Sequence, residues 1–226
     1  MAGDLKFVVF DCDGTLVDSA HIIVATMEAA WEREGLKPPD ASDVRHQVGL
    51  PLVEAIANLH PEGEPHLHHR LADHYRDAFH EDRMKSLHSE QMYPGCRDVL
   101  QELADAGMIL GVATGKGPQG LLNSLESNGI REFFTILKTA NDGPGKPNPD
   151  ILIDAMNEVG VGPENTVMVG DTIFDITMAV RAKAYGIGVD WGYHSREALT
   201  QAGACDIAKT FSDLPGQLQK IWSVIR

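Results

Sequence analysis

The stretch FVVFDCDGTLVDS at 7–19 decides how this sequence is interpreted. Four apolar residues at 7–10 predict a buried strand, and Asp11 and Asp13 follow directly where that strand ends. Because the two aspartates are two residues apart, their side chains can point the same way, and Gly14 permits a tight turn beyond them. Two aspartates at this spacing, taken alone, are more simply explained as a helix cap beside a turn aspartate. The rest of the chain therefore decides between this explanation and a functional one.

Four further apolar runs predict buried strands, at 108–114, 133–139, 165–170 and 184–190. Helical patterns alternate with them, at 95–106, 118–128, 149–159 and 172–182. Strands that alternate with helices of about 10 to 15 residues are typical of right-handed βαβ units. The predicted fold class is therefore α/β, with a Rossmann-like parallel sheet core that carries helices on both faces.

One long segment breaks this alternation. Residues 18–92 carry helical patterns without a convincing strand. The segment begins directly after the loop of the first strand, so it emerges above the carboxyl end of that strand, where open α/β sheets bind their ligands. We predict an inserted all-helical cap subdomain at 18–92 and an α/β catalytic core at 1–17 and 93–226.

Length and composition limit the kind of protein this is. The 226 residues, 43% apolar and 23% charged, are typical of a globular domain with room for an insertion. The net charge of −14 disfavours nucleic acid and anionic membranes as partners, and three widely spaced cysteines suggest no disulfide framework. The apolar residues at 7–10 are too few for a signal peptide, and no run is long enough to span a membrane. We expect a cytoplasmic protein without nucleic-acid or membrane partners, acting as a monomer or homodimer.

A second pair of aspartates follows another predicted strand. Asp171 comes directly after 165–170, and Asp175 lies one helical turn further on. With Asp11 and Asp13, four acidic groups would gather at neighbouring strand ends and repel one another unless a cation neutralised them. Oxygen ligands suit Mg²⁺ before Ca²⁺ or Mn²⁺. The alternative is that Asp171 is a helix cap and Asp175 a solvated helix residue.

Two further residues could bind an anion. Thr114 ends a predicted strand and precedes Gly115, so it offers a hydroxyl beside free backbone N–H groups. Lys146 offers a full positive charge, and Pro147 and Pro149 restrict the chain around it just before a predicted helix. Taken singly, Thr114 would be a strand-end cap and Lys146 a surface lysine, so their meaning depends on the combination.

Together these pieces resemble the haloacid dehalogenase superfamily of phosphohydrolases. The motifs are DCDGT from Asp11, Thr114 in VATGK, Lys146 in GKPNP and GDTIFD from Gly170. Their order, spacing and strand context match the family across about 5–211. The insertion after the first motif is similar to that of members with a helical cap, and the wider pattern resembles the phosphoglycolate phosphatase-like branch.

The resemblance implies a Mg²⁺-dependent phosphatase that hydrolyses a small phosphate monoester through an aspartyl-phosphate, with 2-phosphoglycolate as the favoured substrate. Asp11 would be the nucleophile, while Asp13 would protonate the leaving oxygen and then activate water. Crowding by other carboxylates and partial burial would keep Asp13 protonated at the start. Thr114, Gly115 and Lys146 would bind the phosphoryl group.

The same resemblance implies the metal ligands and a contact in the cap. Mg²⁺ would be bound by Asp11, the backbone carbonyl of Asp13, Asp171 and, as a further ligand, Asp175. Arg45, in RHQVGLPL, looks like part of the substrate-facing loop of relatives and could bind a substrate carboxylate bidentately; the alternative is a solvated helix arginine. The expected partner is a small phosphorylated metabolite under a cap that excludes water.

Other interpretations compete with this one. The glycines of GKGPQG at 115–120 match a dinucleotide-binding pattern, which would leave both aspartate motifs unexplained. Seven of the ten histidines lie within 60–88, where a metal site could be proposed but a polar cap face is the simpler explanation. A β-phosphoglucomutase-like phosphosugar mutase and a signalling module that retains the phosphoryl group both share an acceptor aspartate. Sugar-dependent isomerisation would distinguish the mutase.

Overall fold

The computed structural model describes residues 5–85 and 90–223, with side chains described at 5–81 and 90–223. Its strands are β1 (Phe7–Phe10), β2 (Val17–Asp18), β3 (Gln91–Met92), β4 (Ile109–Ala113), β5 (Ile136–Lys138), β6 (Thr166–Gly170), β7 (Tyr185–Val189) and β8 (Asp206–Ala208). Its α-helices are α1 (Ala20–Arg33), α2 (Ala41–Gln47), α3 (Leu52–Leu59), α4 (Pro65–Lys85), α5 (Cys96–Asp105), α6 (Pro118–Ser127), α7 (Asp150–Val159), α8 (Ile173–Arg181), α9 (Arg196–Ala202) and α10 (Leu214–Ser223).

Six of these strands form one parallel sheet in the order β5-β4-β1-β6-β7-β8. Val9 of the central strand β1 pairs with Gly111 on one side and with Met168 on the other. The chain moves outward through β4 and β5 and then returns to the other side of β1 as β6. This reversal creates a crevice at the carboxyl end of β1, where open sheets of this type bind ligands. The predicted α/β class is confirmed.

The side chains of β1 alternate between the two faces of the sheet. Val8 and Phe10 join a core that includes α5, α6 and α10, whereas Phe7 and Val9 join a core that includes α7 and α8. All four side chains are fully buried. A parallel strand covered on both faces has no solvent side, which is why this strand is a continuous apolar run without polar alternation.

The helices α1 to α4 form a helical subdomain with a core of its own. This core contains Met27 and Trp31 of α1, Val44 of α2, Ile56 of α3 and Leu71 of α4. Each helix therefore buries an apolar stripe against its neighbours rather than against the sheet. Within the described ranges, no helix combines the length and the apolar content that a bilayer crossing requires.

Several elements were not predicted. The strands β2 and β3 pair antiparallel at the two ends of the helical subdomain, with Val17 opposite Met92 and Asp18 opposite Gln91. Two residues are too few to show a period of two. The third missed strand, β8, has three residues, and α9 buries Leu199 alone, so neither carries a repeating apolar pattern. The helix α10 was also missed.

Leu100 tests the packing of α5 against the sheet. Its side chain is fully buried in the core that contains Val8 and Phe10. We expect Leu100→Ala to lower the free energy of unfolding by about 2–5 kcal/mol, because truncation removes apolar contacts and leaves a cavity. Urea denaturation followed by circular dichroism measures this change. Leu5→Ala, at an exposed leucine, is the control and should change the value by less than about 0.5 kcal/mol. An unchanged midpoint for Leu100→Ala would contradict the packing described.

Candidate active site

Three aspartates meet at the carboxyl edge of the sheet. Asp11 follows β1, Asp171 follows β6, and Asp175 lies in the first turn of α8. One carboxylate oxygen of each lies within 4.8 Å of the others, and all three side chains are buried. We call these three residues the acidic cluster. The structure thus brings together three of the four aspartates that the sequence proposed as metal ligands.

Asp175 is fixed by the start of α8. The Thr172 N–H and hydroxyl donate to Asp175 Oδ2 at 3.0 and 2.7 Å, and the Asp175 N–H donates back to the Thr172 hydroxyl at 3.4 Å. This reciprocal pair is a capping box, which satisfies backbone donors that a helix start leaves without partners. The other oxygen, Asp175 Oδ1, accepts from Lys146 Nζ at 2.6 Å.

Lys146 is fully buried between two aspartates. Its Nζ lies 2.8 Å from Asp11 Oδ1 and 2.6 Å from Asp175 Oδ1. Burial lowers the pKa of a lysine, but here the two carboxylates outweigh burial and raise the pKa of Lys146. The side chain is therefore a charged ammonium group at neutral pH. The sequence alternative of a surface lysine is therefore wrong, because the side chain is fully buried.

When fully ionised, the acidic cluster carries more negative charge than Lys146 can balance. Three carboxylates against one ammonium group would then leave a net charge of −2. Burial raises the pKa of Asp11 to about 6, although Lys146 opposes this shift. Burial and the neighbouring Asp175 also raise the pKa of Asp171 well above its usual value. A hard divalent cation with oxygen ligands would remove this excess, so the donor set fits such an ion.

Asp171 is oriented by residues of two other segments. The Thr15 hydroxyl donates to Asp171 Oδ1 at 2.8 Å, and the Tyr193 N–H donates to Oδ2 at 2.9 Å. Gly14 has a φ of +81°, and a Cβ at this position would collide with the Asp171 carboxylate. Glycine is required there both for the backbone conformation and for the space that the carboxylate occupies.

Asp13 belongs to a separate polar group. Its Oδ1 accepts from the Ser19 hydroxyl at 2.6 Å and from Lys116 Nζ at 2.5 Å, and Lys116 Nζ also contacts Glu90 Oε1 at 2.7 Å. The expected environment of crowded carboxylates is therefore corrected, because a hydroxyl and an ammonium group contact Asp13 directly. Sequence reasoning missed Ser19, Lys116 and Glu90. Lys116 could have been found from the sequence, because it lies two residues after Thr114 in the loop that follows β4.

Thr114 is also buried at the edge of the sheet. It follows β4, its N–H donates to the Lys138 carbonyl at 3.0 Å, and its hydroxyl accepts the Lys116 N–H at 3.2 Å. These contacts hold the hydroxyl in the loop after β4, which is adjacent to β1 in the sheet. The strand-end position expected for Thr114 agrees with the structure.

The loop at 48–51 of the helical subdomain rests on the core. The Gly49 carbonyl oxygen lies 3.2 Å from where a Cβ of Gly115 would stand, and Pro51 Cγ lies 2.5 Å from where a Cβ of Gly145 would stand. The Gly49 backbone and the Pro51 ring approach the core this closely because both core positions are glycine. Pro51, Gly115 and Gly145 line a cleft of about 530 Å³, whose lining also includes Lys146. The carboxylates of the acidic cluster do not line this cleft.

His194 makes a second contact between the core and the helical subdomain. Its Nδ1 accepts the Ile173 N–H at 3.2 Å, so Nε2 carries the proton that is donated to the His46 carbonyl at 3.2 Å. Burial lowers the pKa of His194, which favours this neutral form. Arg45, the neighbour of His46 on α2, is exposed and lies outside the acidic cluster.

The histidine-rich segment makes contacts within the helical subdomain. His68 Nε2 lies 2.9 Å from the His60 carbonyl, and His74 Nε2 lies 2.9 Å from Glu34 Oε1. His88 lies outside the described residues. Among the residues that the structure describes, the acidic cluster is the group of three or more acidic, histidine or cysteine side chains placed to hold a metal ion.

Comparison with known proteins shows the family of the chain. A family model described as haloacid dehalogenase-like hydrolase matches residues 8–189. The chain is 32% identical over 212 residues to the probable phosphatase IndB of Dickeya dadantii, covering 92% of this chain and 91% of the relative. It is 31% identical over 206 residues to a phosphoglycolate phosphatase of Vibrio cholerae, covering 88% and 90%. The crystal structure of a predicted phosphatase from Clostridium acetobutylicum matches with a TM-score of 0.86 at 26% identity, over 96% of this chain and 100% of that one.

The parallel sheet, the buried lysine and the acidic cluster define the class of protein, which is a phosphatase. The chain belongs to the haloacid dehalogenase-like hydrolase family. The resemblance drawn from the four motifs is confirmed.

Mg²⁺ should stabilise the folded protein more at pH 7.5 than at pH 5. Without metal, the raised pKa of Asp11 lets the folded chain retain a proton between its usual value of 3.8 and about 6, where the unfolded chain has lost it. The free energy of unfolding therefore falls as pH rises through this window. Mg²⁺ competes with the retained protons, so the increase in Tm that it causes should grow over the same window.

Thermal unfolding with and without Mg²⁺ measures this effect. Asp171→Asn should abolish the increase in Tm, whereas Asp154→Asn, at an exposed aspartate of α7, should retain it. An increase of wild-type size in Asp171→Asn would contradict a metal site in the acidic cluster.

Proposed function

We propose that the protein is a Mg²⁺-dependent phosphatase that hydrolyses a small phosphate monoester through an aspartyl-phosphate intermediate. The position of Lys146 carries this proposal. Its ammonium group is fully buried 2.8 Å from Asp11, at the carboxyl end of the central strand. A buried positive charge beside a carboxylate provides a binding position for an anion and a nucleophile in the same place.

In the first step, a carboxylate oxygen of Asp11 attacks phosphorus. A bond between Asp11 and phosphorus forms while the bond to the leaving oxygen breaks, and Asp13 donates a proton to that oxygen. The Lys146 ammonium and the Thr114 hydroxyl hold the phosphoryl oxygens. Because Asp175 also contacts Lys146, the lysine stays in place when phosphoryl oxygens replace Asp11 as its partner.

In the second step, the phosphoryl group passes to water. Asp13, now a carboxylate, removes a proton from a water molecule, whose oxygen attacks phosphorus. The bond to Asp11 breaks, inorganic phosphate leaves, and the Asp11 carboxylate is restored. The contacts of Ser19 and Lys116 with Asp13 Oδ1 fix the orientation of the group that moves both protons.

The proposed ligands of Mg²⁺ are Asp11, the backbone carbonyl of Asp13, Asp171 and Asp175. When bound, Mg²⁺ supplies positive charge that offsets the charge of the phosphoryl oxygens during transfer. Thr15 and Tyr193 would orient the Asp171 ligand through their hydrogen bonds. Lys146 and Thr172 would orient the Asp175 carboxylate through their hydrogen bonds in the same way.

We further propose that the segment 18–92 acts as a cap over a small phosphorylated metabolite. The close contacts of Gly49 and Pro51 with the core support this role. The first substrate to test is 2-phosphoglycolate, which the name of the Vibrio cholerae relative supports. Arg45 is the proposed partner of a substrate carboxylate, because it lies on α2, the helix that leads into the loop at 48–51.

Phosphate release tests the reaction. The wild-type chain should release phosphate from p-nitrophenyl phosphate and from small esters, including 2-phosphoglycolate, and a chelator should stop the release. Asp11→Asn, which keeps the shape but removes the nucleophile, should lower kcat by about 10³-fold or more. Asp13→Asn should accumulate a phosphoryl adduct that clears slowly, visible by intact-protein mass spectrometry. Asp154→Asn is the control with unchanged turnover.

Normal turnover in Asp11→Asn would contradict the mechanism. Sugar-phosphate isomerisation without phosphate release would indicate the mutase alternative. A wild-type phosphoenzyme that persists without turnover would indicate a signalling module.

Arg45→Ala tests the carboxylate contact. Loss of a bidentate pair should raise KM for 2-phosphoglycolate by about 10-fold or more relative to KM for ethyl phosphate, because the second ester has no carboxylate. Arg33→Ala, at an arginine paired with Glu81 at 2.8 Å on the helical subdomain, is the control. Steady-state kinetics with both esters measure the change. An equal rise for the two esters would contradict recognition of the carboxylate.

A further inference from the structure

Glu90 is a largely buried carboxylate without a role in the mechanism above. Its side chain is 10% exposed, and it stands directly before β3, where the chain returns from the helical subdomain. Glu90 Oε1 lies 2.7 Å from Lys116 Nζ, and Oε2 accepts the hydroxyl of Ser124 in α6. The Glu90 backbone carbonyl accepts the Asn128 side-chain amide at 3.1 Å. Contacts on both carboxylate oxygens and on the backbone therefore fix this residue.

Lys116 joins Glu90 to the proposed acid–base residue. Its Nζ lies 2.5 Å from Asp13 Oδ1 and 2.7 Å from Glu90 Oε1, and its side chain is 7% exposed. The same Nζ lies 5.9 Å from the ring centroid of Phe79 in α4. A lysine has a flexible stem of four carbons, so a single carboxylate partner would leave its ammonium group free to turn. Two carboxylates on different segments restrict it to one position.

Asp13 is thus connected to both segments through which the chain passes between the core and the helical subdomain. Ser19, directly after β2, donates to Asp13 Oδ1 at 2.6 Å. Glu90, directly before β3, reaches the same oxygen through Lys116. Because β2 and β3 are paired, the two connections are held at a fixed spacing. A direct contact and an indirect one therefore act together on one carboxylate oxygen.

We propose that Glu90 is a positioning residue, which acts through Lys116 to keep the Asp13 carboxyl group directed at the leaving oxygen. The inference rests on the proposed phosphatase function, since it assigns Glu90 to the step in which the leaving group receives its proton. Without the Glu90 charge, Lys116 loses one of two carboxylate partners and gains rotamer freedom, so the orientation of Asp13 becomes less defined. The nucleophile is unaffected, because Asp11 is held by Lys146 in a separate set of contacts.

The dependence of kcat/KM on the leaving group separates this role from a general structural one. The value of kcat/KM covers the steps up to the first phosphoryl transfer. A nitrophenol leaves without a proton, whereas a cresol of similar size needs one. Glu90→Gln keeps the shape of the side chain and removes its charge. It should lower kcat/KM about 10-fold or more for cresyl phosphate and less than about threefold for p-nitrophenyl phosphate.

Three further variants complete the experiment. Lys116→Met should show the same selective loss, and the double variant with Glu90→Gln should lose no more than Lys116→Met alone, because both residues act through one contact. Glu126→Gln, at an exposed glutamate of α6, is the matched control and should change neither substrate. Circular dichroism and Tm confirm that each variant is folded.

Equal losses for the two aryl phosphates, no loss in Glu90→Gln, or additive losses in the double variant would each overturn the positioning role. In all three cases wild-type turnover would leave the proposed phosphatase function intact. Failure of the wild-type chain to release phosphate would overturn that function, and the inference with it.

Discussion

A lysine ammonium group buried at the edge of a sheet needs carboxylate partners, because an unpaired charge in the interior is strongly unfavourable. Lys146 has two partners, and each depends on a different element. Asp11 is placed by the central strand β1, and Asp175 by the capping box that begins α8. The position of the strand, the start of the helix and the loop that carries Lys146 therefore constrain one another. A change in any of them would leave a charge without its partner.

Asp11 and Asp13 are two residues apart and yet occupy different electrostatic environments. Asp11 is fully buried beside Lys146 and close to two further carboxylates, so its neighbours are charged groups. Asp13 contacts a hydroxyl and the ammonium group of Lys116, and these contacts lead toward the helical subdomain. Separate surroundings of this kind would allow the two identical side chains to take the different roles proposed for them. The strand end supplies both positions, and the neighbouring segments determine what each can do.

Much of the core could be predicted because its signals are local. A strand buried on both faces is an apolar run, and the residues that follow such runs are the ones that meet at the edge of the sheet. The contact between Lys116 and Glu90 had no such signal, since the two residues are 26 positions apart and Glu90 belongs to no repeating pattern. The contact of Tyr193 with Asp171 was not predicted for another reason, because it uses the backbone N–H, which every residue but proline carries. Strands of two residues, such as β2 and β3, are too short for any periodicity to appear.

The pairing of β2 with β3 places Val17 opposite Met92, so the chain leaves the core and returns to it at adjacent points. A segment whose two ends are neighbours can be lengthened, shortened or replaced without moving a strand of the parallel sheet, since the closure entropy of a longer excursion grows slowly with its length. Residues 19–90 are therefore an insertion that is attached to the core at a single place. If this segment covers the substrate as proposed, the choice of substrate and the chemistry that acts on it can be inherited separately over evolutionary time. Descendants of one parallel sheet could then acquire new specificities by exchanging the helices that it carries.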